Sequence, residues 1–236
     1  MSRYDDHTIT RSRSMIGVDE GLRSFMVRVY MYMALGLSLT AMVAYYVAST
    51  PALVKALVVP PMGYVFMFAP LGVVLFLSFR LDRIAASTAQ MLFWAYAGLM
   101  GISLSMIFLI YTSASIAKIF FVSASLFGSM SLYGYTTQRD LTSMGSFLTM
   151  GLWGIILASL VNIFLKSGPM EMVISIIAVL VFTGLTAYDT QTIKEIYMNS
   201  DDQDVATKKA VFGALQLYLD FVNIFLSLLR LFGERR

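Results

Sequence analysis

The sequence predicts an all-α integral membrane protein with seven transmembrane helices. Hydrophobic residues make up 58% of its 236 positions and charged residues only 13%, a composition far from that of soluble domains. The apolar residues form long continuous runs without the two-residue alternation of a transmembrane barrel. Because backbone groups in lipid must be hydrogen-bonded within the protein, we expect these runs to cross the bilayer as helices.

Seven runs approach the length of about 20 residues that a helix needs to cross the hydrocarbon core. Their predicted bounds are 25–48, 56–79, 87–111, 115–136, 143–165, 170–193 and 207–231. The second run contains Pro60, Pro61 and Pro70, so we expect that helix to be kinked or to begin late. The chain therefore divides into a polar N-terminal tail, 1–24, and one seven-helix domain, 25–236.

The distribution of Lys and Arg predicts a cytoplasmic N-terminus. In that orientation eleven basic residues lie on the cytoplasmic side and six on the other, in agreement with the positive-inside rule. Arg230, Arg235 and Arg236 fall on the minority side, and a re-entrant last run would return them to the cytoplasm. We retain a seventh span because 207–231 is long enough to cross and has no proline or central glycine.

The composition also excludes several kinds of chemistry. The chain has no cysteine, which excludes disulfides and thiolate catalysis. Its one histidine, His7, lies in the polar tail, where we expect it to be solvated, and no His/Cys/carboxylate cluster has zinc spacing. Basic residues in a membrane protein chiefly set its topology, so the net charge of +3 predicts no nucleic-acid partner.

Two aspartates interrupt the last two apolar runs. They are Asp189, in LVFTGLTAYDTQTIK, and Asp220, in LYLDFVNIFLSLLRLF. The predicted topology places Asp189 near the cytoplasmic end of helix six and Asp220 near the middle of helix seven, with the acidic turn 199–204 between them. A charge at the bilayer centre costs on the order of 3 kcal/mol, so such groups usually face a partner or a cavity. We expect the two carboxyl groups to approach within hydrogen-bonding reach, directly or through one water.

Each acid has candidate partners. A negative charge near a helix C-terminus opposes the macrodipole, so Asp189 needs a cation or a proton. Arg80, which ends helix two on the same side in SFRLDR, is the predicted cation. The structural alternative is an interfacial Asp189 and an Asp220 supported by Asn162, Asn223 or a backbone group. Helix seven is apolar all round and carries the deepest charge, so we expect it to form the core of the bundle.

The C-terminal hairpin resembles the signature of the Bax inhibitor-1 family, also called the transmembrane Bax inhibitor motif family. The matching stretches are TGLTAYDTQTIKEIY and LQLYLDFVNIFLSLLRLFG. Two earlier stretches, GLRSFMVRVYMYMALGLSLTAMVA and QMLFWAYAGLMGISLS, are similar to bacterial members. The resemblance implies a bacterial inner-membrane protein whose seventh helix is surrounded by the first six.

The resemblance also implies a function, a pH-sensitive calcium leak channel. Asp189 and Asp220 would form its pH sensor, and Arg80 would latch Asp189 in the closed state. Two close carboxyl groups in a low dielectric titrate as a coupled pair that shares a proton near neutrality. Their hard oxygens suit Ca²⁺, but two carboxylates predict only weak binding, as a leak requires. The predicted partners are the lipid bilayer, Ca²⁺ as the transported ion, and protons, with no cofactor.

Two other functional classes stay open at this point. Paired intramembrane aspartates also define aspartyl intramembrane proteases, and AYD resembles one of their motifs. LYLDF lacks the Gly-flanked context of their second acid and no Pro-Ala-Leu motif follows, so an enzyme is not predicted. The remaining class is an interaction protein that modulates membrane proteases or cell-death regulators without ion flux.

Overall fold

The computed structural model describes residues 4–80, 83–198 and 200–236, with side chains from Glu20 onward. Seven helices in these ranges are long and apolar enough to cross a membrane, which confirms the predicted fold class. They are α1 (Tyr4–Ser49), α2 (Met62–Arg80), α3 (Ala86–Ile110), α4 (Ser113–Thr136), α5 (Thr142–Leu165), α6 (Gly168–Glu195) and α7 (Gln203–Phe232).

The predicted bounds agree with these helices to within four residues except at the starts of α1 and α2. α1 begins at Tyr4, so most of the predicted polar tail is helical, and the apolar part of the helix is Glu20–Ser49. The structure does not describe the side chain of His7, so its expected solvation stays a prediction. α2 begins only after a short helix, Pro51–Leu53, and a π-helical turn, Val54–Val58, which confirms the late start expected from its prolines.

Contacts between loops show which helix ends lie together. At one end of the bundle, which we call the hairpin end, the backbone N–H of Ala86 donates to the carboxylate of Asp204 at 3.1 Å and joins the start of α3 to the α6–α7 hairpin. At the other end, which we call the far end, the N–H of Thr112 donates to the carbonyl of Glu234 at 3.0 Å. The C-terminus therefore lies at the far end, beside the α3–α4 connection.

α7 is the most buried of the seven helices. In its most apolar stretch 67% of the residues are buried, against 44% for α6 and at most 28% for each other span. α7 packs mainly on α1, α3, α4 and α6, whereas α2 packs mainly on α3 and α5 mainly on α6. The expected central position of α7 is therefore confirmed in part, with four principal neighbours instead of six.

Close approach of α4 to α6 depends on one glycine. A Cβ atom at Gly134 would overlap the carbonyl oxygen of Ala187 on α6. Small residues at such positions allow membrane helices to pack through van der Waals contact of their backbones. Ala187 is two residues before Asp189, so this contact also positions the turn of α6 that carries the acid.

We expect Gly134→Ala to destabilise the protein by about 1–3 kcal/mol, because the added methyl group overpacks the α4–α6 contact. Gly128 on the same helix is the matched control, since a Cβ there meets nothing within 4 Å. Gly128→Ala is expected to be neutral or to stabilise by about 0.5–1 kcal/mol, because alanine favours the helix. Thermal unfolding in detergent measures both, and equal midpoints for the two variants would contradict the close contact.

Candidate site: a carboxyl pair in the α6–α7 hairpin

The structure brings Asp189 and Asp220 together. Their carboxyl groups lie close enough to interact directly. Asp220 is only 3% exposed, and Asp189 is partly buried. A carboxylate accepts hydrogen bonds but has none to donate, so a hydrogen bond between two carboxyl groups requires a proton on one of them. Two acids placed in this way can share a proton within the bundle.

The alignment of α6 with α7 creates this pair. Ile193 packs directly against the backbone of Gly213: a Cβ on that glycine would lie 3.0 Å from the Ile193 side chain, closer than an ordinary van der Waals contact. From this contact, Asp189 lies one helical turn back along α6 and Asp220 two turns forward along α7. The two acids therefore differ by one helical turn in their distance from this contact. The length of the side chains and the crossing of the helices compensate for that turn.

Asp220 retains an unused acceptor. Its Oδ2 atom is buried and has no hydrogen-bond partner among the described residues. A buried polar atom without a partner costs about 1–3 kcal/mol, and most such atoms in native proteins are satisfied. A carboxyl oxygen in this state can accept a hydrogen bond from water or bind a proton or a cation.

The polar residues that follow Asp189 hold the α4–α5 connection. The side-chain amide of Gln191 donates to the carbonyl of Arg139 at 2.9 Å and accepts from the N–H of Leu141 at 2.9 Å. Lys194 donates to the carbonyl of Tyr135 at 3.0 Å and lies over the ring of the same residue. This clasp is not among the features predicted from the sequence. Its only sequence signal is the run of polar residues, TQTIK, after the acid.

A chain of hydroxyl groups connects α1, α4 and α6 beside the pair. The Tyr30 hydroxyl bonds the Ser131 hydroxyl, which lies 3.0 Å from the Thr190 hydroxyl. Thr190 donates to the carbonyl of Thr186 within α6 at 2.7 Å. Each hydroxyl in this chain is satisfied, so these residues stabilise the helix packing around the acids.

Tyr218 and Thr40 anchor α7 to α1 in a second buried polar cluster. Their hydroxyl oxygens are 2.8 Å apart, and Thr40 also lies 2.8 Å from the carbonyl oxygen of Ala97 on α3. The Tyr218 ring stacks edge-on against Tyr96 of α3, with centroids 5.3 Å apart. Because Tyr218 is fully buried and precedes Asp220 by two residues, this cluster fixes the part of α7 that carries the acid.

Arg80 does not reach Asp189 in this structure. The Arg80 side chain is exposed at the end of α2, and the ion pairs of the described residues are Lys208–Asp204 and Lys209–Asp201. The reason is the packing of α2, which lies mainly on α3 and away from α6. The Arg80–Asp189 contact is therefore not formed in this arrangement of α2, and forming it would require α2 to move.

Neither asparagine supports Asp220. Asn223 donates to the carbonyl of Leu219 at 2.8 Å in its own helix. Asn162 lies at the end of α5 and accepts from the N–H of Ser167 at 3.0 Å. Each side chain bonds a local backbone group, and neither is hydrogen-bonded to Asp220 among the described contacts.

The site offers few ligands for a metal ion. In the part of the chain that the structure describes, no three His, Cys, Asp or Glu residues are grouped closely enough to hold one. Ca²⁺ takes six to eight oxygen ligands, of which Asp189 and Asp220 supply carboxyl oxygens. Backbone carbonyls and water would have to complete the shell, so the residues present fit a transient ion better than a resident one.

The fold and the site define a multi-pass membrane protein with a paired-aspartate site in its last helical hairpin. A family model described as "Inhibitor of apoptosis-promoting Bax1" matches residues 22–236. The chain is 49% identical over 229 residues to the protein RP147 of Rickettsia prowazekii, covering 97% of each chain. It is 47% identical over 229 residues to the "Inner membrane protein YbhL" of Escherichia coli K12, covering 96% of this chain and 98% of that one. The chain belongs to the Bax inhibitor-1 family, which confirms the resemblance of its hairpin.

We expect Gln191→Leu to lower stability by about 1–3 kcal/mol, because the Leu141 N–H and the Arg139 carbonyl lose their partner. Ser125→Ala is the control, since the Ser125 hydroxyl is exposed and bonds only the Phe121 carbonyl of its own helix. Hydrogen exchange at the Leu141 amide gives a direct measurement and should become faster only in Gln191→Leu. Unchanged exchange at that amide would contradict the clasp.

Proposed function

We propose that the protein is a pH-sensitive cation leak channel of the bacterial inner membrane, with Ca²⁺ as the transported ion. The Asp189–Asp220 pair is the observation that carries this proposal, since it combines two interacting carboxyl groups with a buried, unpartnered acceptor. Ionisable residues inside a membrane bundle are costly and commonly mark ion or proton pathways. Membership of the Bax inhibitor-1 family and the likeness to an inner membrane protein support the same assignment.

The pH response would come from a change of partner by Asp189. With a proton between the carboxyl groups, Asp189 stays bonded to Asp220. Loss of that proton leaves two negative charges in contact, which repel each other and release Asp189 toward the cation of Arg80. We infer that the Arg80–Asp189 ion pair closes the path. Acid therefore favours the leak, and alkaline pH favours closure.

The proposed channel has a defined orientation in the membrane and defined partners. The hairpin end faces the cytoplasm together with the N-terminus, as the excess of basic residues on that side favours. The bilayer surrounds the bundle, and Ca²⁺ and protons act at the pair, where binding weak enough to permit release suits conduction. Other membrane proteins are further candidate partners, and we assign no catalytic step to the aspartates.

The test is calcium-dye flux into liposomes at pH 6, 7 and 8. Arg80→Ala is expected to raise the leak across this range, by about fivefold at most, because a partly hydrated ion pair contributes about 0.2–1 kcal/mol. Asp189→Asn removes the same pair and is expected to weaken closure as well. Asp220→Asn is expected chiefly to flatten the pH dependence, since the remaining acid no longer shares a proton with a second carboxyl group.

Arg83→Ala is the matched control, because it removes an exposed positive charge just beyond α2 and near Arg80. It should have the pH profile of the parent protein. Identical profiles in the parent and the three test variants, at equal folded incorporation, would refute the latch and the sensor together. That result would favour an interaction protein without flux of its own.

A further inference from the structure

Unpartnered polar atoms are concentrated on two helices. Among the described residues, three buried side-chain oxygens have no hydrogen-bond partner, and they are Ser175 Oγ, Thr183 Oγ1 and Asp220 Oδ2. All three belong to α6 or α7. The hydroxyl groups around the acids, by contrast, are satisfied. Because each unsatisfied group has a free-energy cost, their concentration on one helix pair indicates a shared cause.

A charged cavity lies at the far end of the same helix pair. Its volume is about 510 Å³, and its lining comes from α2, α5, α6 and α7. Lys166, Glu171 and Arg230 supply the charges, and no ion pair joins them. Ile174 also lines this cavity, and the next residue, Ser175, is 1% exposed. Ser175 does not itself line the cavity, but it lies one helical turn from Glu171, which does.

The face of α6 that meets α7 runs from this cavity to the carboxyl pair. The contacts of Asp189 and Ile193 with α7 identify that face. Residues spaced by three, four or seven positions share one side of a helix, and here they are 171, 175, 182, 186, 189 and 193. At 1.5 Å per residue, the distance from Glu171 to Asp189 is about 27 Å.

An apolar section interrupts this face. Phe182 of α6 packs in one buried cluster with Ile224 and Leu228 of α7. Phe182 lies seven residues from both Ser175 and Asp189, or about 10 Å along the helix from each. A hydrophobic constriction of this kind excludes water and blocks ions until it opens.

We propose that the cavity of Glu171, Lys166 and Arg230 is the far mouth of the cation path, and that the apolar section around Phe182 and Ile224 is a second barrier between that mouth and the aspartate pair. Glu171 attracts cations to the mouth, and the two basic residues limit their concentration there. The unpartnered Ser175 hydroxyl lies on this face between the mouth and the apolar section and supplies an oxygen ligand to a partly hydrated ion. This inference rests on the proposed leak and locates its second half.

The first experiment introduces asparagine on the face of α7 that meets α6 and, as a control, on another face of α7. Ile224→Asn and Leu229→Asn alter residues that are 0% and 1% exposed in the same cluster. By helical position Ile224 faces α6, whereas Leu229 lies on another side of α7. We expect Ile224→Asn to raise calcium-dye flux about tenfold, equivalent to a barrier lower by about 1.4 kcal/mol, and Leu229→Asn to leave it near the parent value.

The second experiment measures water access without requiring flux. The natural chain has no cysteine, so a single introduced thiol is the only reactive one. A membrane-impermeant cationic thiol reagent, added from the far side, should label Ser175→Cys in the otherwise unchanged protein. Thr186→Cys, beyond the barrier, should be labelled from that side only when Ile224→Asn is also present.

The outcomes separate this inference from the proposed leak. A parent protein that leaks with the expected pH dependence, while Ile224→Asn and Leu229→Asn behave alike, would overturn the second barrier only. Absence of labelling at Ser175→Cys would overturn the mouth, provided that the variant is folded by its thermal unfolding midpoint. Labelling of Thr186→Cys from the far side without the Ile224 change would also overturn the barrier.

Discussion

The approach of the Asp189 and Asp220 carboxyl groups is the interaction on which the rest of the structure depends. It requires a fixed alignment of two helices within a bundle. Neither acid alone is compatible with so buried a position unless it is neutral or paired. The central place of α7 follows from this requirement, because a helix with a carboxyl group near its middle must be shielded from lipid. Its remaining neighbours, α1, α3 and α4, complete that shield.

The sequence predicts the helices and the acids well because both signals are local. A run of about 20 apolar residues identifies a span, and a carboxylate within such a run stands out by its cost. The shared hairpin then brings Asp189 and Asp220 together with no knowledge of packing. Arg80 and Asn162 differ, because their partners depend on how distant helices pack. α2 lies on α3, and Asn162 is used by its own loop, and neither fact has a signal in the sequence.

Polar residues on α6 fall into two groups that their sequence does not distinguish. Thr186 and Thr190 bond to backbone carbonyls one turn earlier, and Gln191 bonds to a loop. Thr183 is the same residue type on the same helix, yet its hydroxyl has no partner. Thr190 and Gln191 also bond α4 and the loop that follows it, whereas the Thr183 hydroxyl makes no such contact. Satisfied groups strengthen the packing, and unsatisfied ones remain available to an ion or water.

These two groups also determine which parts of the bundle can move at low cost. The clasp of Gln191 and the hydroxyl chain through Ser131 tie α6 to α4, and Thr40 ties α7 to α1 and α3. Moving these helices apart would break several buried hydrogen bonds at once. α2 has only 11% of its most apolar stretch buried and packs mainly on one neighbour. A conformational change at the hairpin end is therefore least costly in α2, the helix that carries Arg80.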